Sequence, residues 1–172
     1  TNSLSSGESI AGADLGRFLL RFDLSGQLPA NINILTGTLT LVVAADDSNN
    51  DRTLSLYRCR RAWVETQATW NIWSTGNSWT TAGAADTTND REGTAVGTIT
   101  QGSAPAIDSA LDITITGASL QEMYTGSFIN NRDLCSENSN PSLYIVERVD
   151  FILNAPAFVR RTPSVWREVP PG

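Results

Sequence analysis

The chain is predicted to be all-β: a jelly-roll β-sandwich of about eight strands with one short helix. Three observations predict it. Apolar residues recur at a two-residue period in short runs, the pattern of strands that bury one face. Segments rich in Gly, Pro, Asn, Asp and Ser separate the runs, and those residues favour turns. Only Leu120, Met123 and Tyr124 recur at helical spacing. Many short strands punctuated by turns read as a sandwich or barrel, and a jelly roll closes such a set into two packed sheets.

The elements follow in order. Residues 1–16 are polar and Ser/Gly-rich, with Leu4, Ile10 and Leu15 as isolated apolar points, and read as an irregular N-terminal arm with one short strand at most. Residues 17–172 then form a single domain. Phe18, Leu20, Phe22 and Leu24 alternate with Leu19, Arg21 and Asp23, a strand with one strongly apolar face. Leu28-Pro29-Ala30-Asn31 is a turn, because Pro presets φ. Leu39, Leu41 and Val43 alternate with Thr38, Thr40 and Val42 as the next strand, and Asp46 to Asp51 is a polar connection. Leu54 and Leu56 alternate with Ser55 and Tyr57 in a central strand that fails at Arg60-Arg61. Thr80 to Gly93 reads as a long loop. Ala95–Ile99 and Leu111–Thr116 are strands, and Ala118–Tyr124 is a helical turn or two that Gly126 ends. Asn130 to Pro141 reads as polar loop. Leu143–Val146, Val149–Leu153 and Val165–Val169 are the last strands, and Pro170-Pro171 stops the final one.

Composition excludes whole classes of function. The 172 residues suit one domain, which buries ~70% of the surface its unfolded chain exposes. A net charge of −6 argues against a nucleic-acid surface, which needs a basic stripe. No run approaches the ~18 apolar residues of a membrane span, and no basic-then-apolar leader opens the chain. The first residue is Thr1 rather than Met, which points to a processed N-terminus or to residues preceding it. All twelve basic residues are arginine, so a Ser-His-Asp triad, a Schiff-base lysine and a His-ligated zinc are excluded. Cys59 and Cys135 are either one disulfide or two buried free thiols.

Four of the five tryptophans, Trp63, Trp70, Trp73 and Trp79, stand in one stretch, Leu54 to Trp79. Indoles on a polar loop can plug the open end of a sandwich or stand out and stack on a ligand. Trp63 and Trp70 flank Glu65 and Thr69, and are expected to cap the core while Glu65 accepts hydrogen bonds from loop amides. Trp73 and Trp79 lie among Ser, Asn and Gly and are the candidate glycan-stacking platforms, since indole faces suit the C–H faces of sugars. The competing structural use of these two is packing against the long loop.

The run Trp63-Val64-Glu65-Thr66-Gln67-Ala68-Thr69-Trp70-Asn71 resembles the W-x-E-x-x-x-T-W-N signature of the DNRLRE family, modules related to carbohydrate-binding modules. Arg17 to Ser25 is similar to that family's R-x-L-L-x-F-D-L-S, and Leu120 to Ser127 to its L-V-x-E-W-x-N-G. The three pieces occur in family order and spacing, and the tryptophan motif is the specific one. The resemblance implies the same jelly-roll fold. It also implies an extra strand before the arm, which this sequence starts too late to contain. A sheet edge left unpaired in that way recruits another strand. The arm can fold back and pair, the edge can stay short and wet, or a neighbouring chain can cover it; a particle-surface protein favours the third, so residues 1–16, or the edge beside them, are expected to contact another chain.

Other candidates are weaker. Asp47, Asn49 and Asp51 have the D-x-N-x-D spacing of a calcium loop, but Arg52 and Arg58 stand where an EF-hand needs Gly and Glu. Asp86, Asp90 and Glu92 form a second oxygen-rich loop. Calcium at either loop competes with a simple solvated connection, and no other cofactor is expected. Arg58, Arg60 and Arg61 either pair with acids across strands or recognise uronates. A glycosidase needs two carboxylates ~5–10 Å apart, and no pair stands out by context. The expected function is a non-catalytic surface module, a phage or virion structural protein of head decoration, fibre or tail adhesion, with glycan binding as a further capacity. The alternative is the carbohydrate-binding module of a secreted bacterial polysaccharide-active protein. Partners would be chains of a particle or surface assembly, and polysaccharide. The location would be extracellular or on a virion surface.

Overall fold

The alternation in sequence becomes two antiparallel sheets. The computed structural model describes residues 4–8, 15–21, 32–46, 51–102, 106–125, 133–138, 144–155 and 158–162. Along the described residues the elements are β1 (Leu4–Glu8), β2 (Leu15–Gly16), β3 (Leu19–Arg21), β4 (Thr36–Asp46), β5 (Arg52–Arg58), β6 (Ile72–Ser74), β7 (Asn77–Ser78), β8 (Gly97–Gln101), β9 (Ala110–Thr116), α1 (Gly117–Thr125), β10 (Asp133–Asn138), β11 (Tyr144–Ala155) and β12 (Phe158–Thr162). The first sheet has the order β2-β1-β11-β4-β9, with β12 also on β11, and the second β3-β10-β5-β8. Strands β6 and β7 form a separate hairpin.

Eight of these strands nest in pairs. β1 lies on β11, β3 on β10, β4 on β9 and β5 on β8, all antiparallel. The first half of the chain thus pairs with the second half in reverse order, outermost with outermost. That is the jelly-roll arrangement within an all-β sandwich.

The period-two pattern decides which residues meet between the sheets. Leu39, Leu41 and Val43 of β4 and Leu111, Ile113 and Ile115 of β9 point inward from the first sheet. Leu20, Leu54, Leu56 and Leu134 point inward from the second, and Leu120 and Met123 of α1 close the cluster. Burial of this kind stabilises by about 25 cal/mol per Å² of apolar surface. The turn from β9 into α1 is backbone-tight: a Cβ on Gly117 would lie 2.3 Å from the Ile34 carbonyl oxygen, so only Gly fits. Gln121 of α1 then accepts from Ile34 N at 2.8 Å and donates to Ile32 O at 3.2 Å, fixing the approach to β4.

Four details differ from expectation. The arm carries two strands, and β1 pairs with β11 of its own chain through Leu4↔Val146, Ser5↔Ile145 and Ser6↔Tyr144. The edge expected to seek another chain is therefore covered from within. Residues 133–138, read as loop, are the central strand β10, flanked by β3 and β5. The two strands expected over 143–153 are one strand, β11, with a register shift around Val146 and Arg148, so Glu147-Arg148 marks a bulge rather than a break. Strand β12 went unforeseen. The turn at 28–31 and the strand at 165–169 lie outside the described residues.

Candidate functional site

The tryptophan segment does not plug an end of the sandwich. It lies on the outer face of the β3-β10-β5-β8 sheet. Outward-facing Leu19, Cys59 and Cys135 of that sheet pack with Trp63, Ala68, Trp79 and Ala84 in a second apolar cluster, and Trp73 packs at its margin. A sheet face that alternation alone assigns to solvent is thus covered by a loop with its own core.

The loop is tied down along both edges. On one side residues 90–92 run beside the end of β5: Arg60 N donates to Asp90 O at 2.7 Å, Glu92 N to Arg58 O at 2.9 Å, and Cys59 bridges to Arg91. On the other side two arginines reach the loop, Arg17 just before β3 and Arg21 in it. Arg17 donates to Gly83 O at 2.8 Å with its guanidinium 5.8 Å from the Trp70 ring. Arg21 donates to Trp63 O at 2.6 Å and lies 4.5 Å from the Trp63 ring. Both contacts fall within cation–π range, which a planar guanidinium exploits better than an ammonium. The first and second sequence motifs are therefore two halves of one contact.

The four indoles divide differently from expectation. Trp63 is 1% exposed, and its Nε1 finds no hydrogen-bond partner among the described residues. Trp79, expected to be a platform, is 5% exposed, and its Nε1 donates to Thr69 O at 2.9 Å. The hairpin of β6 and β7 turns the chain back, and Trp79 N bonds to Asn71 O at 3.1 Å, which carries this indole under the loop. Trp70, expected to cap the core, is half-buried against Gly83. A Cβ on Gly83 would lie 2.5 Å from the Trp70 ring, and its φ of +73° also favours glycine. Trp73 is half-buried on β6, whose backbone pairs through Val64 N to Trp73 O at 2.9 Å. Of the two expected platforms, Trp73 alone keeps an exposed part.

Polar side chains hold the loop's amides. Thr69 Oγ1 accepts from Asn71 N and Ile72 N, each at 3.3 Å. Gln67 Oε1 accepts from Thr75 N at 2.9 Å. Asp90, fully buried, accepts from Thr80 N at 3.0 Å, Thr81 N at 2.9 Å and Arg61 Nε at 3.2 Å. Glu65 is half-buried, and Asp90 takes an organising role that sequence reasoning did not assign to it. Nothing in the run T-T-N-D-R-E marks that aspartate beforehand, because its partners are backbone amides ten residues back.

The second oxygen-rich loop is engaged throughout. Asp86 Oδ1 accepts from Thr88 N at 3.1 Å and Asn89 N at 2.6 Å. The Asn89 amide, which outweighs the small cost of burial, together with Thr88, holds the Asp86 carboxyl below its usual range. Glu92 receives Arg58 through Nε at 2.7 Å and Nη2 at 3.0 Å, and Arg58 also pairs with Glu122 of α1. Burial by itself lowers the Arg58 pKa, but the hydrogen bonds and charges of Glu92 and Glu122 outweigh it, and the net direction is up. Asp47 and Asn49 lie outside the described residues, and Asp51 is exposed. Among the described residues no cluster of three or more His, Cys, Asp or Glu is arranged for a metal.

Cys59 and Cys135 are both buried thiols, and the disulfide does not form in this structure. The register explains why. Cys135 opposes Tyr57, which places Cys59 one diagonal step away. Diagonal neighbours lie ~7–8 Å apart, whereas a disulfide spans ~4.4–6.8 Å between Cα atoms.

The sequence model of carbohydrate-binding module family 96 matches residues 5–115, from β1 to the end of β9. No curated protein and no solved structure matches the chain. Among the described residues no helix is long and apolar enough to cross a membrane.

Proposed function

The chain belongs to carbohydrate-binding module family 96, and from that premise we propose that it is a non-catalytic module that binds polysaccharide at Trp73. The observation that carries this reading is the asymmetry of the loop indoles. Trp63 and Trp79 are committed to the second core, and Trp70 packs on Gly83 beneath Arg17. Trp73 rests on the margin of that core and is itself only partly buried. Its backbone is pinned to Val64, and the Arg61 guanidinium lies over its ring, 5.9 Å from the centroid, as Arg17 lies over Trp70. A partly buried tryptophan on a pre-ordered hairpin loses little conformational freedom when a sugar stacks on it. Val64, 37% exposed, is paired with it and extends the apolar rim.

An extracellular location goes with this reading, because polysaccharide is met there. The alternative, a structural role on a phage particle, drew on a free sheet edge only for its expected contact with another chain, and β1 seated on β11 covers that edge. Affinity electrophoresis through soluble polysaccharides, with pull-down on insoluble ones, tests the proposal. The wild-type chain is expected to be retained by at least one polysaccharide. Trp73→Ala should weaken that binding ~10-fold or more, equivalent to ~1.4 kcal/mol, with little change in melting temperature. Unchanged binding by Trp73→Ala would move the site elsewhere, and no retention by any polysaccharide would refute the function.

A further inference from the structure

Resting on the glycan-binding reading, we infer that Trp70 is a second sugar-stacking platform, so that a long polysaccharide chain meets two indoles, Trp73 and Trp70. Among the described residues Trp70 is partly buried, yet it belongs to neither apolar cluster and is not one of the residues packed against them. A tryptophan that only fills a core lies inside one, as Trp63 and Trp79 do. Trp70 is held by backbone instead. Gly83 N donates to the Trp70 carbonyl at 2.7 Å, and Gly83 O accepts from Arg17 Nη1 at 2.8 Å. The Arg17 guanidinium lies 5.8 Å from the ring centroid, beyond the ~3.5–4.0 Å of a close atomic contact, so it borders the ring without filling a face. Trp73 has the same kind of neighbour in Arg61, at 5.9 Å.

The geometry at Gly83 shows which face of Trp70 is taken. A Cβ built there would lie 2.5, 2.7 and 2.9 Å from Cη2, Cζ3 and Cζ2 of the indole. Three adjacent ring atoms are nearly equidistant only from a point above the ring plane. A point beyond the ring's edge would be clearly closer to one of them. The Gly83 backbone therefore covers one face at the outer end of the ring, and neither apolar cluster takes the other. The chain accepts strain to make this approach. Gly83 has a φ of +73°, and Ala84 directly after it has +56°, a left-handed conformation that is costly for a residue with a Cβ. Ala84 is buried in the second cluster, which anchors the turn. Strain held in place by its surroundings is concentrated at ligand clamps and other functional sites.

The two indoles lie within reach of one polysaccharide chain. Trp70 and Trp73 are three residues apart, so their Cα atoms are at most ~11 Å apart. The turn between them is closed: Thr69 N donates to Ile72 O at 2.9 Å, and Thr69 Oγ1 accepts from Asn71 N and Ile72 N. Both platforms are thus ordered before a sugar arrives, and binding costs little conformational freedom. A short fragment rests on one indole. A longer one reaches both, and its second contact forms at high effective concentration.

Disaccharides and hexasaccharides of the cellulose, xylan, mannan, chitin, polygalacturonate and alginate series, titrated into the full isotopically labelled chain, test this through its indole N–H resonances. With a hexasaccharide that binds, the Trp70 and Trp73 resonances are both expected to shift and to give one Kd. That Kd should be at least ~5-fold tighter than the matching disaccharide's. Trp70→Ala should weaken hexasaccharide binding at least ~5-fold, and Trp70→Tyr, which keeps an aromatic face, should stay closer to wild type. The wild-type titration does not depend on how stably either variant folds. A hexasaccharide that shifts Trp73 and leaves Trp70 unmoved, or that binds Trp70→Ala as tightly as wild type, would overturn the inference while leaving binding at Trp73 standing. Binding of no member of these series would overturn both.

Discussion

Trp63 and Trp79 are interior residues of a second core, and their neighbours in sequence conceal the fact. Trp79 is preceded by Gly76, Asn77 and Ser78, a context that reads as exposed turn. What buries it is the return of the β6–β7 hairpin and a bond from its indole to Thr69 O, neither of which has a local signal. Trp63 was legible as a buried residue, because with Trp70 it flanks Glu65, Thr69 and a sharp change of direction, although the core it joins is the second one. Truncating either indole removes a large buried side chain, so Trp63→Ala and Trp79→Ala should each cost ~3–5 kcal/mol. Trp73→Ala should cost clearly less. Thermal melts of the three variants check this, and equal losses at all three would place Trp73 in the core with the others. Asp90 was legible only as one acid in an oxygen-rich loop. Its acceptor role depends on two amides that come near only when the loop closes.

At the scale of the element, the polar strand β10 was the least legible part. The run Asp133-Leu-Cys-Ser-Glu-Asn138 holds a single strong apolar residue. It sits centrally because Leu134 enters one core, Cys135 enters the other, and Ser136 is satisfied. Ser136 Oγ accepts from Phe18 N at 2.9 Å and Ser136 N donates to Phe18 O at 3.0 Å. A buried polar residue with both partners supplied costs little, so period-two counting missed the strand. The turn at Asp86 leads to a pH prediction. Its folded-state pKa is depressed, so its contribution is present above the unfolded value of ~3.9 and is lost as pH falls through the lower folded value. The gap in melting temperature between wild type and Asp86→Ala should therefore be constant from neutral pH to about pH 5 and close on acidification below ~4. A gap that widens in acid would show that the carboxylate does not stabilise this turn.

At the scale of the whole molecule, nested pairing makes the two halves of the chain interdependent. The family match ends at residue 115, yet β10 and β11 lie beyond it and stand at the interior of each sheet. Without them β3 loses its partner, β1 keeps only β2, and both apolar clusters are left open on one side. A fragment of residues 1–115 should show no cooperative unfolding transition, whereas the full chain should melt as a unit. A sharp melt of the fragment would mean that the sheets are less coupled than the pairing indicates. The class of fold was legible because alternation survives in β4, β5 and β9, which build most of the main core. The placement of the loop over an outer sheet face was not, because it rests on contacts between Arg17 or Arg21 and tryptophans more than forty residues away. The central claim is that Trp73 is the indole that meets glycan. The five tryptophans give separate indole N–H resonances, so titrating the labelled chain with a bound polysaccharide reads each one. The Trp73 resonance is expected to shift progressively while those of Trp63 and Trp79 stay in place, and binding that leaves Trp73 unmoved would contradict the account.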